Sequence, residues 1–337
     1  MARLTIRDIA REAGVSRAAV SFALNDRPGV SPSTRAKILE IAARMGWRPN
    51  ATARALSSSR SNAIGLILQR PRVNNSSERF FFDFITGVQD GLDNTGIDLL
   101  LHLSHSMEEE LRAYQEWWAQ GRVDGVIVID PRDGDPRPQK LSEYSLPTVV
   151  IGQKFDQCGA VIGDDEQMIR LLAEHLFEQG CRHIAFVCGS TSFTHIQQRI
   201  ATLQRLAQER GARVTISPEN EFSEASALEA TRALLEAPFF VPDGIIFANE
   251  ILTLGGFQAI AQSGLKTGED IKICSCEDSP MLSMFSPAVT AISRNPATMG
   301  YAGAQLLLEQ LQGEEARTVS DQDPQLVARA STLSSQN

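Results

Sequence analysis

From Ala63 onward, short apolar runs alternate with segments of helical periodicity, and this alternation limits what the chain can fold into. The runs lie at 63–68, 97–103, 123–129, 147–151, 183–188, 243–248 and 271–276. Between most of them, apolar residues recur three and four positions apart, at 84–94, 107–119, 166–179, 196–210, 225–236 and 250–263. Strands that are apolar throughout are buried on both faces, and strands separated by helices join a parallel sheet by crossover. The pattern is long enough for two such sheets, so the expected body is α/β, with two doubly wound parallel-sheet subdomains. Ligands of such sheets bind beyond the carboxyl ends of the strands, which places a binding cleft between the two lobes.

The first sixty residues read differently. Thr5 and Asp8 fit a helix start, and Ile6, Ile9, Ala10 and Ala13 form one apolar face. Gly14 supplies a left-handed stop, Val15 fills the corner, and Ser16 caps a second helix that buries Val20, Ala23 and Leu24. Arg17, Ala18, Ser21 and Phe22 are left on the opposite stripe. A helix-turn-helix lays the N-terminal part of its second helix in the DNA major groove, so this stripe would meet base edges. A third helix is expected over 32–45, capped by Ser31, with Pro32 in its first position and Ile38, Ile41, Ala42 and Met45 inward. Arg48 to Ser61 then reads either as a Ser/Arg-rich linker or as a hinge that becomes helical on DNA. In the second case Leu56, with no core beside it, would wedge between base steps of the minor groove.

Charge follows the same division. Residues 1–60 hold eleven Lys and Arg against four Asp and Glu, a net of +7, whereas the whole chain carries −9, which leaves −16 on 61–337. A basic head on an acidic body concentrates phosphate-attracting charge in one small domain. No apolar stretch approaches the length of a membrane span, and no apolar leader opens the chain, so a cytoplasmic protein without a membrane partner is expected. The five cysteines (158, 181, 188, 274 and 276) show no CxxC spacing and read as reduced core residues, with neither metal nor cofactor expected. Three nucleotide and hydrolase signatures (GxGxxG, GxxxxGK[ST] and GxSxG) do not occur, and Asp164 reads as a helix cap, so no enzyme is expected. A solute-binding receptor would suit the body alone, but not the basic head.

Head, hinge and α/β body in this order resemble the lactose/galactose-repressor family of bacterial transcription regulators, over essentially the whole chain. The resemblance rests on Thr5-Ile-x-Asp-Ile-Ala, Ala13-Gly-Val-Ser16, Val20-Ser21, Val30-Ser31-x-x-Thr34-Arg, Gly46-Trp-Arg-Pro-Asn50 and Ile64-Gly-Leu-Ile67. Asp124-Gly125, Ala248-Asn249-Glu250, Met299-Gly300 and Leu326-Val-x-Arg-x-Ser-Thr332 extend it. It implies a homodimer on a palindromic operator, and a small-molecule effector, commonly a sugar, in a cleft like that of periplasmic binding proteins. It also implies a head over 1–47, a hinge over 48–61, a first subdomain from 62–161 and 291–322, a second over 162–290, and a closing strand and tail over 323–337.

Base-reading positions carry over to Arg17, Ala18 and Phe22, with Thr5, Ser16, Ser21, Ser31, Arg54 and Leu56 as further DNA contacts. Phe22 stands where Arg is frequent. It can pack on a thymine methyl but cannot pair bidentately with guanine, or it can tuck back against the head. Effector positions carry over to Phe80, Phe81, Arg199, Phe222, Asn249 and Glu277. At least two of the four phenylalanines in 80–84 should be core, and Arg199 and Glu277 could instead form a surface ion pair. His195 either reaches the pocket or stays exposed in its loop. Ser275-Cys276-Glu277-Asp278 and Ser293-Arg294-Asn295-Pro296 depart from the usual family runs, which implies a pocket shaped for a different ligand.

Overall fold

The computed structural model describes residues 4–24, 27–47, 60–70, 79–219, 221–237 and 241–333. They divide into two compact units, Met1–Ser61 and Asn62–Asn337.

The first unit contains α1 (Ile6–Ala13), α2 (Arg17–Leu24) and α3 (Pro32–Arg44). Eight-residue helices are not stable alone in water. These are held by their ends and by a shared core of Ile9, Ala10, Ala13, Val20, Ala23, Ile38, Ile41 and Ala42. The Asp8 carboxylate accepts from the backbone N–H and hydroxyl of Thr5, at 3.0 and 2.7 Å. α1 ends on left-handed Gly14 (φ 71°), after which Ser16 Oγ accepts from Ala19 N at 3.1 Å. Ser31 Oγ accepts from Thr34 N at 3.2 Å at the start of α3. Two basic residues serve the helix C-termini. Lys37 donates to the Ala13 carbonyl at 3.2 Å, and Arg35 donates to those of Phe22, Ala23 and Arg27 at 3.4, 3.3 and 2.6 Å. The proposed hinge helix, with Arg54 and Leu56, lies outside the described residues.

The second unit is a pair of lobes. The first runs β1 (Ala63–Gln69), α4 (Arg79–Leu92), β2 (Asp98–Ser104), α5 (Met107–Ala119), β3 (Gly125–Val128), α6 (Pro136–Glu143), β4 (Thr148–Ile151) and β5 (Gly159–Ile162). The chain then enters the second lobe with α7 (Asp165–Glu178), β6 (His183–Val187), α8 (Thr194–Arg210), β7 (Arg213–Ile216) and α9 (Glu224–Leu235). That lobe continues with β8 (Gly244–Phe247), α10 (Glu250–Ser263), β9 (Lys272–Ser275), α11 (Pro280–Met284) and β10 (Thr290–Ser293). It returns to the first lobe for α12 (Pro296–Leu311) and β11 (Thr318–Ser320), and ends in the second with β12 (Gln325–Val327). The sheet orders are β11-β5-β4-β3-β1-β2 and β12-β10-β9-β8-β6-β7. Pairing is parallel throughout, except that β12 is antiparallel to β10.

Both sheets are therefore the expected doubly wound kind, each with an edge strand supplied late in the chain. The second crossing falls after Ser293, not at 291 as the resemblance implied, because β10 pairs with β9 and β12 in the second sheet. α4 starts five residues before the expected 84. Strands β5, β7, β10, β11 and β12 and helices α6, α11 and α12 had no counterpart in the apolar pattern. Of the four phenylalanines, Phe81 and Phe84 are core, Phe80 is half-buried and Phe82 is exposed. α4 and α12 pack backbone to backbone: a Cβ on Gly87 would lie 1.9 Å from the Ala297 carbonyl oxygen, and one on Gly300 would lie 2.1 Å from that of Phe84.

Candidate DNA interface and ligand cleft

In the head, Arg17 and Ala18 are exposed on one stripe of α2, and Ser21 is half-buried beside them. Thr5, Ser16 and Ser31, each at a helix start, are also exposed. Helix N-termini with free N–H groups are ready anion sites, which suits phosphate contact. Phe22 is partly tucked back against the head. Its ring borders Gly29 so closely that a Cβ there would meet it at 3.1 Å, yet the residue remains 36% exposed.

In the body, strand order places the site. The first sheet reverses its winding between β1 and β3, and the second between β6 and β8. Loops leaving neighbouring strands at such a point diverge and leave a crevice. Gln69 closes β1 and Arg70 follows it, Ile129 to Arg132 follow β3, Ser190, Ser192 and Phe193 follow β6, and Ala248 and Asn249 follow β8. All of them line one cavity of about 350 Å³ between the lobes. The seven residues expected from sequence, Phe80, Phe81, His195, Arg199, Phe222, Asn249 and Glu277, line the same cavity.

Arg199 is only 3% exposed and meets Asp165 Oδ1 through Nη2 at 2.6 Å and Nε at 2.7 Å. Asp164 accepts from Gln167 N at 2.8 Å as the cap of α7, which leaves Asp165 free to turn inward. Burial works to raise the Asp165 carboxyl, but Arg199, with His195 and Arg294, outweighs it and holds the group below its usual range. Glu277 does not pair with Arg199, contrary to the surface-pair alternative. It accepts from Arg294 at 2.9 Å, and that guanidinium lies 4.6 Å from the centre of the Phe80 ring. Asn249 spends its oxygen on the Leu252 N–H at 2.9 Å, so its amide NH₂ is what it can offer a ligand. His195 lies flat on Phe193 in the cavity wall. Burial, and then Arg199, push its imidazole down to about 4, so it is neutral at physiological pH, with one donor and one acceptor. Phe222 enters the wall because Gly189 has no side chain: a Cβ there would lie 2.2 Å from the ring.

Sequence reading did not single out Gln69, Arg70, Asp130, Arg132 or Asp165 as pocket residues, and tied Arg294 to the pocket only as part of a run that departs from the family, although all six line the cavity. The first four directly follow, or close, apolar runs, so the rule about carboxyl strand ends contained the signal. Arg132 donates to Gln69 Oε1 at 2.8 Å and lies 5.2 Å from the Phe193 ring centre. Its backbone forms a β-bridge with Phe193 across the cleft, next to a 3.0 Å bond from Thr194 N to the Pro131 carbonyl. Behind it, buried Arg137 ties the loop down through Asp135 (2.6 Å), Glu110 (2.8 Å) and the carbonyls of Ile129 and Asp130 (3.0 and 2.9 Å). Burial raises the Glu110 carboxyl even against Arg137. Among the described residues, no cluster could hold a metal ion and no helix is long and apolar enough to cross a membrane.

Residues 5–50 match the model for bacterial regulatory proteins of the lacI family, and residues 173–332 match a periplasmic binding protein-like domain. The chain is 27% identical to the HTH-type transcriptional repressor PurR of Aliivibrio fischeri, over 98% of each chain. It superposes on the lac repressor dimer bound to operator and the anti-inducer ONPF with a TM-score of 0.84, at 25% identity, covering 99% of this chain and 100% of the other. The transcriptional regulator CelR in complex with cellobiose gives a TM-score of 0.72 at 25% identity, covering 98% and 100%. The chain thus combines a lacI-family helix-turn-helix domain with a periplasmic-binding-protein-like effector-binding domain, the organisation of the DNA-binding transcriptional repressors that it resembles.

Proposed function

We propose that this repressor grips a palindromic operator as a cytoplasmic homodimer and is controlled by a carbohydrate in the inter-lobe cleft. In the head, Arg17, Ala18, Ser21 and Phe22 meet base edges, while Thr5, Ser16 and Ser31 contact the backbone. Arg54 and Leu56 act in the adjoining minor groove. The observation that carries the carbohydrate reading is the makeup of the cavity wall. Fixed guanidinium–carboxylate pairs at Arg199–Asp165 and Arg294–Glu277 stand among the rings of Phe80, Phe81, Phe193 and Phe222. The pairs can engage adjacent hydroxyls bidentately, and the rings can cover the apolar face of a pyranose. Likeness to a regulator solved with cellobiose supports the same class. The test is selection of bound sequences from random duplex DNA by the purified protein, with and without a panel of sugars. A palindromic site whose enrichment changes with one sugar is expected. Enrichment indifferent to every sugar would overturn the carbohydrate reading.

A further inference from the structure

We infer that the cleft takes an uncharged ligand of two sugar rings, the second held in a mouth subsite built on Gln69, Arg132 and Phe193. This rests on the carbohydrate reading above. Volume is the first ground. At about 30 Å³ per liquid water, the cavity of about 350 Å³ matches roughly twelve waters. A single hexose packed at interior density fills about half of it.

The wall itself divides in two. At the deep end Arg199, Asp165 and Asn249 are 3%, 8% and 5% exposed. At the other end, Arg132 is half-buried and Ser192 is exposed. Each end has a guanidinium anchored on a planar acceptor: Arg199 on Asp165 within the second lobe, Arg132 on Gln69 within the first. The mouth end also has a ring, Phe193, contributed by the opposite lobe. Among the described residues the Arg132 guanidinium hydrogen-bonds Gln69 through Nη2 alone, which leaves Nη1 as a donor for a ligand hydroxyl. The lining holds four guanidiniums (Arg70, Arg132, Arg199, Arg294) and four carboxylates (Asp130, Asp165, Glu221, Glu277). A phosphate or carboxylate on the ligand would add a buried charge to a wall that already balances.

The test is calorimetric titration of the full chain with disaccharides of different linkage, their component monosaccharides, hexose 6-phosphates and a purine base. At least one disaccharide should bind tenfold or more tightly than its component rings. Arg132→Gln should weaken that disaccharide about tenfold and leave the monosaccharide within twofold. Gln69→Ala, which leaves the Arg137-tied loop in place, should give the same split. Equal binding of one ring and two, or equal loss of both in the variants, would overturn the mouth subsite. A hexose phosphate that outbinds the neutral sugars would overturn the uncharged ligand. Binding of the purine base alone, or of nothing in the panel, would instead defeat the carbohydrate reading and this inference with it.

Discussion

Replacing Arg199 with alanine strips the cation from a buried pair and leaves Asp165, 8% exposed, without the guanidinium that compensates it. Breaking such a pair from one side costs about 3–5 kcal/mol, because the remaining charge has lost its compensation. A unit of this size loses about 2–4 °C of melting temperature per kcal/mol, so the body should melt about 6–20 °C lower. Adding Asp165→Asn removes the stranded charge, and the double variant should recover about 2–3 kcal/mol relative to the sum of the singles.

The pH dependence has a definite sign. The folded pKa of Asp165 is depressed below its ordinary 3.8, so the stability it contributes is present above that value and is lost as pH falls through the folded one. In Arg199→Ala, burial acts without the guanidinium and raises the carboxyl. The variant should therefore close on wild type as acid protonates Asp165. Thermal unfolding of the four proteins between pH 4 and 8 reads both effects, and operator binding without effector should survive, since the head is a separate unit. Strictly additive costs, or a gap between wild type and variant that ignores pH, would refute the reasoning.

Operator affinity should fall steeply with salt, by orders of magnitude between 50 and 200 mM if six or more phosphates are contacted, as filter binding or fluorescence anisotropy would show. A flat dependence would count against phosphate-driven binding by the +7 head. Gly29→Ala places a side chain at φ 115° and against the Phe22 ring, and should destabilise the head by about 1–3 kcal/mol. An unchanged melt would mean that this turn relaxes freely. His195 contributes stability above its ordinary 6.5 that is lost as pH falls toward about 4, so the body's melting temperature should carry an acid-side loss over that window. Persistence of that acid loss in His195→Asn would assign it elsewhere.

What could be read from the sequence was set by how local each signal is. The head is written in caps and stops such as Thr5, Gly14, Ser16 and Ser31, whose partners lie within four residues, so α1 to α3 fall where expected. Strands β1, β3, β4, β6, β8 and β9 were legible as apolar runs buried on both faces, whereas interior β5 and β10 are four residues long with a less buried last position and gave no run. The edge strands β7, β11 and β12 are exposed or half-buried along their length, and nothing local distinguishes Arg213–Ile216 from a loop. In the cavity, six of the expected residues came with family likeness and His195 from its place in the loop, but their partners did not. Asp164 and Asp165 are chemically alike and adjacent. Only the start of α7 decides which one caps and which one turns inward. Arg199 and Glu277 were weighed against each other because the residues each pairs with, Asp165 and Arg294, lie far from both in the sequence.

The three crossings between lobes also matter for how the chain is made. When β5 leaves the ribosome, the first lobe still lacks α12 and β11, so the α4 face around Gly87 that α12 will cover is bare. At about 5–20 residues per second, the roughly 160 residues from β5 to β11 take about 8–30 s to synthesise. During that time the second lobe acquires all of its sheet but the edge strand β12. The lobe made first is thus completed after most of the lobe made second. The nascent chain must keep an unfinished apolar surface out of trouble for tens of seconds, and a chain stopped near residue 290 would carry a complete head on a body whose first lobe has no lid.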